Sequence, residues 1–246
     1  MTSSLLASRS SSVVSTALRG ALCALLAASG LVGCGQAETE PQDTPAPPFP
    51  EGTGQQAEAT AEYPAGPYGI GFGSVIENFE FMGYPQPMVD NETLVRISLS
   101  DFYNPTGDGV YPEGSPFGAG NPKPKALHIV IGSVWCPPCN QEADQILPVE
   151  YAKYKPEGAE FLSQLADGPT YGKPATDNHL TSWTNKYDVD YPSVIDPAGK
   201  LEALWEADAF PQNMIIDPRD MTVKRVIAGV PDASYWNKFE SVLAGN

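Results

Sequence analysis

The sequence predicts an α/β protein: a central mixed sheet flanked by helices on both faces. Three observations predict it. An apolar run, Ala126-Leu127-His128-Ile129-Val130-Ile131, reads as a buried strand and is followed by a helix-compatible stretch from Asn140 to about Tyr154. The same strand-then-helix pattern returns over 159–165 and 178–187. Further strand-like segments, two of them joined by a tight turn, then lead into a C-terminal amphipathic stretch, so the order is β-α-β-α followed by β-β-α.

Ahead of the central strand, Glu77–Met82 and Thr93–Leu99 read as short strands that extend the sheet at its N-terminal side. Residues 104–124 are dense in Gly and Pro and read as a loop, either a functional segment or a surface insertion. After the central strand, Ala143, Ile146, Leu147, Tyr151 and Tyr154 recur at helical spacing and face a core. Pro148 falls inside that helix and should kink or split it. Asp177 is the expected N-cap of the helix over Asn178–Tyr187. Tyr191–Ile195 reads as a strand stopped by the turn Asp196-Pro197-Ala198-Gly199, and Leu201–Trp205 as a short helix. Asn213–Ile216 and Val223–Ala228 are strands joined at Asp217-Pro218-Arg219-Asp220. The last helix, Ser234–Leu243, puts Tyr235, Trp236, Phe239, Val242 and Leu243 on its buried side.

The folded domain is expected over 66–246, and the residues before it have other work. Residues 1–33 carry Arg9 and Arg19, no acid, and a short apolar stretch from Ala21 to Gly33, the features of a secretory signal. The stretch ends in Leu31-Val32-Gly33-Cys34, which resembles the lipobox of bacterial lipoproteins. By that resemblance the signal is cut before Cys34, which becomes a lipid anchor, and Cys23 leaves with the signal. Residues 34–65, rich in Pro, Gly, Gln, Glu, Ala and Thr, cannot bury much apolar surface and read as a disordered tether. A coil of that length spans on the order of 30 Å. The net charge is −16, and removing a signal that holds two arginines makes the mature chain more acidic still. Such acidity argues against nucleic acid as a partner and against electrostatic docking on anionic lipid.

Of the four cysteines, Cys136 and Cys139 then remain as the thiols of the mature domain. They stand two residues apart in Trp135-Cys136-Pro137-Pro138-Cys139, between a strand and a helix. That junction puts Cys136 at a helix N-terminus, where partial positive charge favours a thiolate, and should leave it exposed for attack. A bridge between the two closes a loop too short to constrain the unfolded chain much, so a purely structural role has little motive. Pro138 suits an early helical position, where no hydrogen-bonding N–H is required. Pro211, directly before a strand, is a place for a cis bond or for an ordinary trans proline at a strand start. Glu142, one turn beyond Cys139, is either a proton-transferring group or a solvent-facing glutamate of the first helical turns.

Taken together, these segments resemble the thioredoxin fold, and within it the membrane-tethered TlpA/ResA-like thiol-disulfide oxidoreductases. Four matches in order carry the resemblance, which runs from Gly73 to Gly245. They are Trp135-Cys136-Pro137-Pro138-Cys139; Glu142; the segment Val189-Asp190-Tyr191-Pro192-Ser193-Val194-Ile195-Asp196-Pro197-Ala198-Gly199; and Phe210-Pro211-Gln212-Asn213-Met214-Ile215-Ile216-Asp217. The resemblance implies that Cys136 attacks, Cys139 resolves, Trp135 shields one side of the pair, and Phe210 with the cis Pro211 faces the disulfide. There are departures. Phe210 stands where relatives of this branch usually carry Thr, which narrows the substrate groove or covers the disulfide. Asp144 replaces a proline that the family often has, the proline arriving later as Pro148. Val130 stands six residues before Cys136, where thioredoxin has a buried Asp, so a proton relay falls to Glu142.

The implied function is a thiol-disulfide oxidoreductase of the cell envelope, lipid-anchored outside the cytoplasm, exchanging disulfides with exported protein clients and acting as a reductant supplied by a separate electron donor. Gly35, where some bacteria use Asp for inner-membrane retention, points to the outer membrane. The two sulfurs do the chemistry, and no cofactor or metal enters this reading. The alternative is a copper- or other metal-binding thioredoxin-fold lipoprotein using the same cysteines. Against it, the only histidines are His128, inside the predicted buried strand, and His179, and copper-delivering relatives resemble Cys-x-x-x-Cys. A peroxidase is disfavoured because Ser133-Val134-Trp135-Cys136 lacks the Pro-x-x-x-Thr-x-x-Cys pattern. A redox-inactive partner-binding lipoprotein is disfavoured by the intact cysteine pair.

Overall fold

A computed structural model describes residues 62–196, 198–204 and 209–246. The signal segment, Cys34, nearly all of the expected tether, and Trp205 lie outside the described residues. Among the described residues no helix is long and apolar enough to cross a membrane.

Seven strands of the described residues form one mixed sheet. They are β1 (Glu80–Tyr84), β2 (Val95–Ser98), β3 (Ala126–Ser133), β4 (Ala159–Asp167), β5 (Ser193–Ile195), β6 (Gln212–Asp217) and β7 (Thr222–Ala228). Their spatial order is β2-β1-β5-β4-β3-β6-β7. Strands β3, β4 and β5 run parallel, while β1, β2, β6 and β7 pair antiparallel with their neighbours. The early pair β1–β2 extends the sheet, as the sequence predicts, and the structure adds it on the β5 side. Strand β3 is buried along its whole length because it lies in the interior of the sheet with both faces covered.

The α-helices are α1 (Pro137–Gln141), α2 (Leu147–Tyr154), α3 (Asp177–Lys186) and α4 (Ala233–Leu243). The sheet is flanked by helices, but their distribution differs from the expected one. The buried residues of all four, including Cys139, Leu147, Tyr151, Leu180, Trp183, Trp236 and Phe239, join one core layer with Val130, Phe161 and Ile215 of the sheet. The opposite sheet face, presenting Leu127, Ile129, Leu162 and Met214, is covered by Leu99 and Phe102 of a 3-10 turn, by Tyr111 and Phe117, and by Ile76 and Leu201. The reason is topological. The crossovers β3-α1/α2-β4 and β4-α3-β5 step in the same direction across the sheet, and two right-handed crossovers stepping the same way put their helices on one face.

The long loop helps cover the face on which none of the four α-helices of the described residues packs. Within the loop Tyr111 stacks on Phe117 at 4.9 Å between centroids, and Phe117 meets the tilted ring of Phe102 at 5.1 Å. Asn104, fully buried, accepts the Gly109 N–H and donates to Pro124 O, which closes the loop on itself. Tyr63, inside the segment read as tether, donates its hydroxyl to Ile76 O at 2.9 Å and packs edge-on to Tyr103.

Helix boundaries also shift from expectation. The first helix begins at Pro137 rather than Asn140, because prolines at its first two positions need no N–H partner. As Pro148 leads one to expect, the helix is split: a π turn over Glu142–Ile146 separates α1 from α2 just before the proline, and the Leu147 N–H reaches back to Glu142 O. In α3 the N-cap is Thr176, not Asp177: its hydroxyl accepts the His179 N–H, and the His179 ring accepts the Thr176 N–H.

Candidate active site

The paired cysteines sit at the carboxyl end of β3, the end of a parallel sheet where reactive groups gather. Cys136 is the N-cap of α1, and it forms a disulfide with Cys139, their Cα atoms 5.3 Å apart. Helix N-termini normally expose several free N–H groups, but Pro137 and Pro138 remove two of them. The first donor left is the Cys139 N–H, which points at Cys136 Sγ from 3.2 Å. Gly132 of β3 faces Cys139: a Cβ there would lie 3.4 Å from Cys139 Cβ, in van der Waals contact.

Contrary to the exposed position expected for it, Cys136 is only 2% exposed, and Cys139 3%. Trp135 and Phe210 pack against the cluster that contains both cysteines and stand edge-to-face with each other at 5.9 Å. The Phe210–Pro211 bond is cis, and Pro211 is buried beside the start of β6. Phe210 packs on both core clusters, the one that holds the pair and the one on the opposite sheet face.

Three residues that the sequence reading did not single out hold this arrangement. Asp167, at the end of β4, accepts the Trp135 indole N–H at 2.9 Å, and its backbone carbonyl accepts the Val134 N–H at 3.0 Å. Asn140 donates to Val134 O at 3.0 Å and to Cys136 O at 2.7 Å, while its own oxygen accepts from Lys186 and Tyr187 of the α3 end. Tyr171 lies edge-on to Trp135 at 5.2 Å. The one available signal was that Ser133 and Asp167 both close apolar runs on neighbouring strands; the register pairs them.

Glu142 turns inward on the π turn and is fully buried. Neither carboxylate oxygen has a hydrogen-bond partner of ordinary geometry. Burial pushes its pKa up to about 8, and the Asn213 amide of β6 opposes that shift without cancelling it. Val130 stands directly opposite Asn213 in the sheet register. Of the histidines, His128 is buried among Phe161, Tyr235, Trp236 and Phe239 with Nδ1 2.9 Å from the Tyr235 hydroxyl; burial lowers its pKa to about 3. His179 caps α3. Among the described residues no group of three or more His, Cys, Asp or Glu is placed to hold a metal ion.

Sheet order, the strand-cysteine-helix junction and the cis proline beside it define a thioredoxin-fold protein with a Cys-x-x-Cys disulfide. In sequence the chain is similar to a thiol-disulfide oxidoreductase ResA of Bacillus cereus, 26% identical over 105 residues, which cover 43% of this chain and 56% of that protein. It is likewise similar to ResA of Bacillus thuringiensis subsp. konkukian, 25% identical over 104 residues covering 42% of this chain and 56% of the relative. The chain thus spans little more than half the length of these curated relatives. No family model matches. Among solved structures, a candidate thiol:disulfide interchange protein DsbE from Chlorobium tepidum superposes with a TM-score of 0.51 at 18% identity, over 71% of this chain and 99% of that one. The C-terminal domain of a candidate thiol-disulfide oxidoreductase from Bacteroides thetaiotaomicron gives 0.50 at 15% identity, over 72% and 99%. At such identities the structural likeness speaks for the fold, which is thioredoxin-like.

Proposed function

We propose that the chain is a thiol-disulfide oxidoreductase whose working couple is Cys136 and Cys139, acting on protein clients as a reductant. The observation that carries this reading is the disulfide itself, formed at a helix start with its single free N–H aimed at Cys136 Sγ. In the reduced protein the Cys136 thiolate attacks a client disulfide and forms a mixed disulfide. Cys139 then attacks Cys136 Sγ, expelling the client thiolate, so two electrons pass to the client and the protein is left oxidised. Cys139 must lose its proton in that step. Glu142, one turn further on, is the proton-transfer group: with its pKa raised by burial to about 8, a fraction of its carboxyls is ionised near neutral pH and can take that proton, and the protonated form can return one in the reverse step. Trp135, Phe210 and Pro211 form the wall along which the client lies. A separate donor must re-reduce the pair.

The lipoprotein reading completes the proposal. Cys34, lipidated after signal removal, tethers the domain outside the cytoplasm on a bacterial membrane, the outer one by the identity of Gly35.

In insulin reduction, Cys136→Ser should abolish turnover, and Cys139→Ser should accumulate mixed disulfides visible on non-reducing gels. Normal turnover by both variants would sink the reading. A reduction potential near the roughly −270 mV of thioredoxin supports the reductant direction, while one near about −120 mV reverses it. Expressed in bacteria, the full chain should label with palmitate and sediment with membranes. Cys34→Ser should do neither, and unchanged labelling would remove the anchor.

A further inference from the structure

Tyr171 stands at the tip of the turn between β4 and α3 and is 65% exposed. That turn is tied down. Gly168 N–H donates to Lys173 O at 2.8 Å, Lys173 N–H to Thr170 O at 3.1 Å, and Ala175 N–H to Ala166 O at 2.8 Å. The Gly172 N–H donates at 2.9 Å to Asp167 Oδ2, the same oxygen that accepts the Trp135 indole at 2.9 Å. One carboxylate oxygen therefore fixes both the tyrosine turn and the tryptophan. The rings of Tyr171, Trp135 and Phe210 follow one another edge-to-face at 5.2 and 5.9 Å, and the latter two pack on the cluster holding the buried disulfide.

A large ring held in solvent on a rigid turn contributes little to the core. It offers a partner a pre-ordered apolar contact at small entropic cost. Access points the same way, because Cys136 is buried and two rings of this row, Trp135 and Phe210, pack on the cluster that holds it. We propose that Tyr171 is a specificity-determining residue. Together with Trp135 it receives an aromatic or large aliphatic side chain adjacent to the client's reacting cysteine, so the disulfide exchanges preferentially with clients that carry one. This rests on the oxidoreductase reading above.

The test uses the oxidised protein and two dithiol peptides that differ only in the residue beside the attacking cysteine, Phe in one and Gly in the other. A peptide thiolate attacks Cys136 Sγ, the Cys136–Cys139 bond breaks, and Cys139 leaves as a thiolate that takes up a proton. The second peptide thiol, losing its proton, then displaces Cys136, so the peptide is oxidised by two electrons and the protein reduced by two. The Phe peptide should react about three- to tenfold faster, the range expected for one aromatic contact. Tyr171→Ala should bring that ratio close to one, and Tyr171→Phe should keep it. Equal rates with the wild-type protein, or an undiminished ratio in Tyr171→Ala, would overturn the proposal. Absence of exchange with either peptide would overturn the oxidoreductase reading and this proposal with it.

Discussion

Glu142 shows how one residue couples chemistry to stability. Its carboxyl ordinarily titrates near 4.5, and in the folded protein burial moves it to about 8. Below the lower value it is protonated whether folded or unfolded, and contributes no pH dependence. Between the two values the folded protein holds a proton that the unfolded chain has released, so stability falls as pH rises through that window and levels off above it. The full drop is on the order of 5 kcal/mol, a large share of the stability of an ordinary domain. Glu160, also raised by burial, is opposed by the Lys155 ammonium and adds a slope of the same sign. Glu142→Gln should flatten the difference between urea midpoints measured at pH 5 and pH 8, mainly by raising the value at pH 8. An unchanged difference would place the titration elsewhere.

At the scale of elements, the first helix is tuned by what its N-terminus lacks. A cap side chain ordinarily accepts from the second or third helical N–H, and Pro138 deletes the second. Cys136 therefore has one helical donor to stabilise a thiolate, the Cys139 N–H. Pro138→Ala restores the missing donor. It should lower the Cys136 thiol pKa by about one unit, as one hydrogen bond to a charged group is worth about 1.5 kcal/mol, and raise the reduction potential with it. Thiolate ultraviolet absorbance against pH measures the first, and equilibration with glutathione the second; no movement in either would show that the donor never reaches the sulfur. Further along the same helix, the π turn before Pro148 has a plain cause. In a regular α-helix the proline ring would press on the Asp144 carbonyl, and the wider turn over Glu142–Ile146 relieves it. The same turn points Glu142 and Ala143 into the core.

Across the whole molecule, the sheet separates two unlike layers. One is helical and aromatic, with Phe161 in ring contact with His128, Tyr151, Tyr191, Trp236 and Phe239. The other is built from loops and 3-10 turns around Phe102, Tyr111 and Phe117. The cysteine pair belongs to the helical layer and lies near the end of the sheet where β3 and β4 finish side by side. Rings placed around it come from three separate segments: the end of β3, the turn after β4 and the approach to β6. Such a site exists only when the sheet is assembled.

What the sequence determined by itself is whatever local chemistry dictates. Apolar runs placed the core strands, and the Cys-Pro-Pro-Cys spacing placed a reactive pair at a helix start. A proline before a strand marked Pro211 as a place for a cis bond, and Glu142 was legible as the polar group one turn beyond Cys139. Tertiary structure decided the rest. Asp167 and Tyr171 lie far along the chain from Trp135, and only the parallel pairing of β3 with β4 brings them to it. The burial of Cys136 could not be read from its own neighbours, because the core layer it joins includes residues of distant segments, among them Ile215 of β6, which the antiparallel pairing of β6 sets beside β3. Nor could the one-sided arrangement of helices, which follows from the direction in which successive crossovers step across the sheet. Local pattern fixes each element and its reactive groups, whereas strand order fixes which of them meet.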